Sequence, residues 1–232
     1  YAFGFTENEI LANKGGDRAR YDKAMKRAKL FYGRAKDYGI KLLSLRHGFE
    51  KANEGTLDQF NAYLKNYRRP DLEKVFWATF AWGNHINFNK DSVEAVAELP
   101  RVEALAQRIL ALDEGYFYGG AHLLLGAIHG GRPKMLGGDP DKAKMHFERA
   151  IQISQGKYLM AQVTMAQYYA VQIQDAALYK KLLNEVVAAD AAALPEQRLS
   201  NELAKIRAQI LLDKQALFFS QGGTEKKRRS RR

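Results

Sequence analysis

Apolar residues recur three and four positions apart along most of the chain, and no segment alternates convincingly at period two. The clearest stripe is Ala143, Phe147, Ala150 and Ile151, with Lys142, Lys144, Glu148 and Arg149 on the opposite side. That is a helix that buries one face. Asp139 supplies an N-cap acceptor just before it, Pro140 fits the first helical position, and Gly137-Gly138 supplies the turn. Thr56 and Gln59 have capping-box spacing, which predicts a helix from Leu57 to about Tyr67. Further helices are predicted near 18–37, 71–87, 101–112, 116–129, 157–173, 176–189 and 195–219. Pro70, Pro100, Pro133, Pro140 and Pro195 fall between or at the ends of these runs, where a missing N–H does least harm. Ala and Leu outnumber the β-branched residues, which favours helix over strand. The predicted class is all-α.

Short helices in series invite a search for repeats. Arg108-Ile109-Leu110-Ala111-Leu112-Asp113-Glu114-Gly115 is similar to Arg149-Ala150-Ile151-Gln152-Ile153-Ser154-Gln155-Gly156, one helix pair further on. The tetratricopeptide pattern can be laid on this unit. His122-x2-Leu125-Gly126-x2-His129 keeps the Leu-Gly pair that lets two helices approach, and Ala143-x3-Phe147 keeps the small and aromatic pair of the second helix. Histidines replace both aromatics of the first helix. A looser copy, Thr79-x2-Trp82-Gly83-x2-Ile86, precedes it. The expected architecture is a divergent tetratricopeptide-like repeat, an α-α superhelix whose stacked units create concave binding surfaces.

Composition narrows the function classes. With 46% hydrophobic and 27% charged residues the chain is far from the depleted apolar content of a disordered one. No stretch approaches the roughly 18 apolar residues of a membrane-spanning helix. The absence of cysteine excludes disulfides, thiolate metal sites and thiol nucleophiles together. The net charge of +11 is uneven, because six Lys and Arg against Glu225 place +5 in the last eight residues. The body is only moderately basic, and a terminal charge run after a folded domain reads as a solvated tail rather than a specific nucleic-acid site. The organisation expected is an N-terminal segment over 1–17, one helical domain over 18–220 and a basic, disordered tail over 221–232. The chain starts at Tyr1 with no charged-then-apolar leader, so a targeting segment removed upstream is expected.

No catalytic constellation emerges. His129-Gly130-Gly131 has no Gly-x-Ser-x-Gly nucleophile turn to serve, and the Gly119-Gly120 and Gly137-Gly138 pairs follow no strand, so they read as turns. His122, His129 and His146 lack metal-ligand spacing, and His47 and His85 stand alone. No metal, cofactor or enzymatic activity is expected. The sharpest binding feature is aromatic: Phe76, Trp77, Phe80 and Trp82, then Tyr116, Phe117 and Tyr118. Phe76, Trp77, Phe80, Trp82, Tyr116, Tyr118 and His122 are the candidates for lining a ligand site or channel, with core packing the competing role for each.

Taken in order, these pieces resemble the T-component family of TRAP transporters. The match runs through Tyr32-Gly33-Arg34-Ala35-Lys36-Asp37-Tyr38-Gly39, Phe76 to Gly83, and Leu112-Asp113-Glu114 with Gly120-Ala121-His122. It continues through Gly137 to Pro140, His146 to Ala150, Gln174-Asp175, Leu194-Pro195-Glu196 with Leu199 and Asn201, and Leu217-Phe218-Phe219. The resemblance implies a tetratricopeptide-like periplasmic lipoprotein, held to a membrane by a lipidated N-terminal Cys that this chain lacks. It implies the substrate-binding (P) subunit of the transporter as partner, and a homotrimer. The function expected is that of an accessory component which binds the P subunit and channels a small organic or hydrophobic ligand. The alternative is a general tetratricopeptide-like scaffold whose basic tail takes an acidic partner.

Overall fold

Local chemistry sets most helix boundaries. The computed structural model describes residues 1–219, so the tail expected over 221–232 lies outside the described residues. A wide π-helical turn, Ala2–Thr6, runs straight into α1 (Glu7–Asn13). The Asp17 side chain accepts from the Arg20 N–H at 3.0 Å and starts α2 (Arg18–Ser44). After α3 (Phe49–Glu54) comes α4 (Leu57–Leu64), opened by the capping box of Thr56 and Gln59 with both reciprocal bonds made. Then follow α5 (Leu72–Phe88), α6 (Val93–Ala97), α7 (Leu99–Leu112) and α8 (Tyr116–Gly130). The helix α9 (Pro140–Ile153) begins as predicted, with Asp139 accepting from the Lys142 N–H. Next, α10 (Met160–Thr164) continues into a π-helical turn, Met165–Ala170, before α11 (Ala176–Ala188) and α12 (Arg198–Asp213). No strand occurs among the described residues. The molecule is all-helical, as the periodicity predicts.

Several boundaries differ from expectation for identifiable reasons. The helix expected to stop near residue 37 continues to Ser44, about two further turns, because Gly39 serves close approach rather than termination. A Cβ there would sit 3.0 Å from Ala78 Cα. The helix expected over 195–219 is shorter, flanked by 3-10 turns at Pro195–Gln197 and Gln215–Leu217. The start of α8 is left-handed: Phe117, Tyr118 and Gly119 have φ of +47°, +58° and +76°. Only Gly119 adopts that geometry without cost, and the two aromatics are held there against their preference.

Packing joins neighbours along the chain. The helices α2 and α5 meet extensively, as do α8 and α9, where Gly126 faces the Phe147 ring so closely that a Cβ would lie 2.8 Å from it. Phe147 is fully buried, together with Tyr179, Leu183 and Leu211, in a core that gathers the C-terminal helices. A second core, built on Phe49, Phe60, Val75, Trp82 and Leu105 and including Leu43 of α2, joins α3, α4, α5, α7 and α8. The first thirteen residues close onto both ends of this arrangement, packing on α2 and on α12.

Candidate functional site

Because α5, α8, the Met165–Ala170 turn and the N-terminal segment converge without filling the space between them, they enclose a cavity of about 580 Å³. Its walls are mainly apolar, with Phe76, Phe80, Leu123, Leu124, Ile128 and Met160 prominent. Val93 and Leu136, both well exposed, also line it, so it opens to solvent beside the 89–93 and 132–137 loops. Polar groups enter the lining at Lys90, Asp91 and Arg132 beside the two loops, and in two further places. On one wall the Glu7 carboxylate pairs with Arg207 at 3.0 Å and accepts from the Tyr32 hydroxyl, while Arg207 Nε donates to Asn8 Oδ1 at 2.7 Å and its Nη2 to the Phe3 carbonyl. Burial pushes the Glu7 carboxyl up, and Arg207 with the Tyr32 bond pull it back. Elsewhere Tyr168 accepts from Asn87 Nδ2 at 3.0 Å, and burial raises its phenol to about 12, so it remains a neutral hydroxyl near pH 7.

A second cavity of about 690 Å³ lies beyond, lined by Tyr1, Phe31, Tyr32, Tyr38, Trp77 and Ala81 among others. Phe3, Phe80, Phe117 and Tyr158 line both cavities and so stand between them. Their rings touch in pairs, Phe3 on Phe80 at 5.5 Å and Phe117 on Tyr158 at 6.0 Å between centroids, both edge to face.

The residues singled out from sequence separate into two groups. Phe76 and Phe80 line the first cavity, and Phe80 and Trp77 the second. Trp77 is 41% exposed and shares this second lining with the more exposed Tyr38. Trp82, Tyr116, Tyr118 and His122 line neither. Trp82 is buried, its indole N–H donating to Glu98 Oε2 at 2.7 Å under the Lys36 ammonium. Tyr116 packs edge to face on Phe76, and Tyr118 stacks on Tyr158 while its hydroxyl donates to Glu196 at 2.9 Å. Sequence reasoning passed over Phe3, Glu7, Lys90, Leu124, Tyr168 and Arg207 as lining residues. A weak signal existed only for Phe117, which sits inside the aromatic run.

His122 belongs to a separate polar cluster between α8 and α9. Its Nδ1 lies 2.7 Å from His146 Nδ1 and its Nε2 lies 3.0 Å from Glu114 Oε1. With Nε2–H donating to the carboxylate, a neutral His122 accepts through Nδ1, which makes His146 Nδ1 the donor. Hydrogen bonds from Arg149, then from His122, pull Glu114 down to about 2. Burial, with the neighbouring His122 and His129, pushes His146 down to about 4. The His129 ring stacks on His146 at 6.0 Å. Among the described residues no group of three or more His, Cys, Asp or Glu side chains is arranged to hold a metal ion, and no helix is long and apolar enough to cross a membrane.

The family model described as TRAP transporter T-component matches residues 1–219, the whole of the described chain. No curated protein matches it.

Proposed function

The chain belongs to the TRAP transporter T-component family, and from that premise we propose that it binds the P subunit of its transporter and holds a small apolar ligand in the inner cavity. A transporter accessory protein need not carry out chemistry. The observation that carries this reading is the cavity itself, about 580 Å³ with largely apolar walls, the volume of a site for a small organic molecule. The second cavity beyond the four shared aromatics gives such a ligand a continuation, which suits a channel better than a closed pocket. The tight Gly126–Phe147 contact between α8 and α9 supports a tetratricopeptide-like stacking of helix pairs. In life the protein would be periplasmic, anchored by an N-terminal lipid and assembled as a homotrimer, as the family implies.

The binding test is calorimetry with the purified P subunit, using the full chain and a variant lacking residues 224–232 at several salt concentrations. If the folded surface drives association, the truncated protein still binds at moderate salt, and Trp77→Ala, at an exposed aromatic of the second cavity, weakens binding. If the basic tail drives it, affinity falls steeply with salt and disappears on truncation. The absence of any complex would overturn the P-subunit reading and favour a general scaffold.

A further inference from the structure

Resting on the reading of the inner cavity as a ligand site, we propose that its ligand is an amphipathic anion, with an ionised head group held by Lys90 at the open end and an apolar tail among Phe76, Phe80, Leu124 and Ile128. The tail follows from the lining. The head group follows from an imbalance of charge. Lys90 lines the cavity just past the end of α5, near its exposed lip at Val93, and makes no ion pair with any described residue. Its ammonium instead lies 5.8 Å above the centre of the Tyr168 ring.

The neighbouring charges are of the same sign. Burial, then Arg132 in the same lining and Lys14 nearby, disfavour the Lys90 charge, so this ammonium sits below its ordinary range. The nearby carboxylates are already engaged, Asp91 by Lys29 at 3.0 Å and Glu103 by Arg132 at 3.2 Å. Glu7 is committed to Arg207. An anion arriving at Lys90 therefore meets uncompensated positive charge with no carboxylate to displace. The Tyr168 ring backs this ammonium, while its oxygen, which accepts from Asn87, faces the Glu7 and Arg207 wall and takes no part in the head-group site. A neutral apolar molecule would use the walls and leave the Lys90 ammonium without a counter-ion. An anion with a chain attached uses the walls and the ammonium together.

The test compares two probes of one shape, cis-parinaric acid and cis-parinaryl alcohol, by fluorescence titration at fixed ionic strength. Three proteins are needed: the parent chain, Lys90→Gln, and Leu124→Trp to fill the cavity, each checked by thermal melting to be folded. The parent is expected to bind the acid about tenfold more tightly than the alcohol, the scale of one charge-assisted hydrogen bond. Lys90→Gln is expected to remove that preference while leaving the alcohol unaffected, and Leu124→Trp to weaken both probes. Equal affinity for acid and alcohol, unchanged by Lys90→Gln, would overturn the head-group assignment while leaving the apolar cavity reading intact. Binding of neither probe, or binding unaffected by Leu124→Trp, would overturn both.

Discussion

Glu7 and Arg207 pair at 3.0 Å from opposite ends of the described chain, with side chains 13% and 4% exposed. The guanidinium also holds Asn8 and the Phe3 carbonyl, so one side chain of α12 fixes the segment that supplies a wall to both cavities. A buried pair of this kind adds little over a well-packed apolar replacement, but removing one partner strands the other.

Arg207→Ala is therefore expected to cost about 3–5 kcal/mol. Glu7→Gln combined with Arg207→Met should cost less than the single change, because no charge is left buried and Tyr32 keeps an acceptor. Urea unfolding of the two variants measures the difference. A double variant less stable than Arg207→Ala would show that the pair contributes more than the relief of its own desolvation.

The histidine cluster makes stability depend on pH. His146 stands at about 4 in the folded protein against 6.5 for the free side chain. The unfolded chain thus binds the proton first, and stability is complete above pH 6.5 and lost as pH falls towards 4. The depression amounts to about 3 kcal/mol at most. His146→Phe should flatten the unfolding free energy over that interval, and a slope unchanged by the substitution would assign it elsewhere.

The contact of α8 with α9 leaves no room for a methyl group. Gly126→Ala would bring its Cβ within 2.8–2.9 Å of the Phe147 ring and should destabilise by about 1–3 kcal/mol. Phe147→Ala, at a fully buried position, should cost about 3–5 kcal/mol. A Phe147→Ala protein that melts with the parent would contradict the packing of this pair.

Gln155 has φ of +52° just past the end of α9 and is exposed, so its side chain gains nothing for the strain. Gln155→Gly should stabilise by about 1 kcal/mol, since the left-handed conformation costs glycine nothing. An unchanged or lower melting temperature would show that the Gln155 side chain does more than its exposure suggests.

The legible parts of this fold are those decided within one helical turn or one apolar stripe. Asp139-Pro140 followed by Ala143, Phe147 and Ala150 gave α9 because cap, first turn and buried face all lie within a dozen residues. The left-handed start of α8 had no such signal: Phe117 and Tyr118 disfavour positive φ, and only the surrounding packing holds them there. Phe76 and Phe80 were readable as lining candidates from their shared face. Trp82, four residues from Ala78 in the same run, was drawn into the core once Glu98 could accept its N–H. The wall made by Phe3, Glu7 and Arg207 was illegible, because it depends on contacts across nearly the whole chain that no local period encodes.

Among the described residues only the four aromatics Phe3, Phe80, Phe117 and Tyr158 are common to the two cavities, which would have a kinetic consequence for the proposed channel. Ring reorientation breaks no helical hydrogen bond, whereas parting α5 from α8 would be a collective motion on the roughly microsecond-to-millisecond scale. On the channel reading proposed above, the partition would act as a valve of side chains set in a rigid frame. The pace of any molecule crossing it would be governed by how tightly those rings are wedged, so a larger or smaller residue at position 80 or 117 would retime the passage without reshaping either chamber.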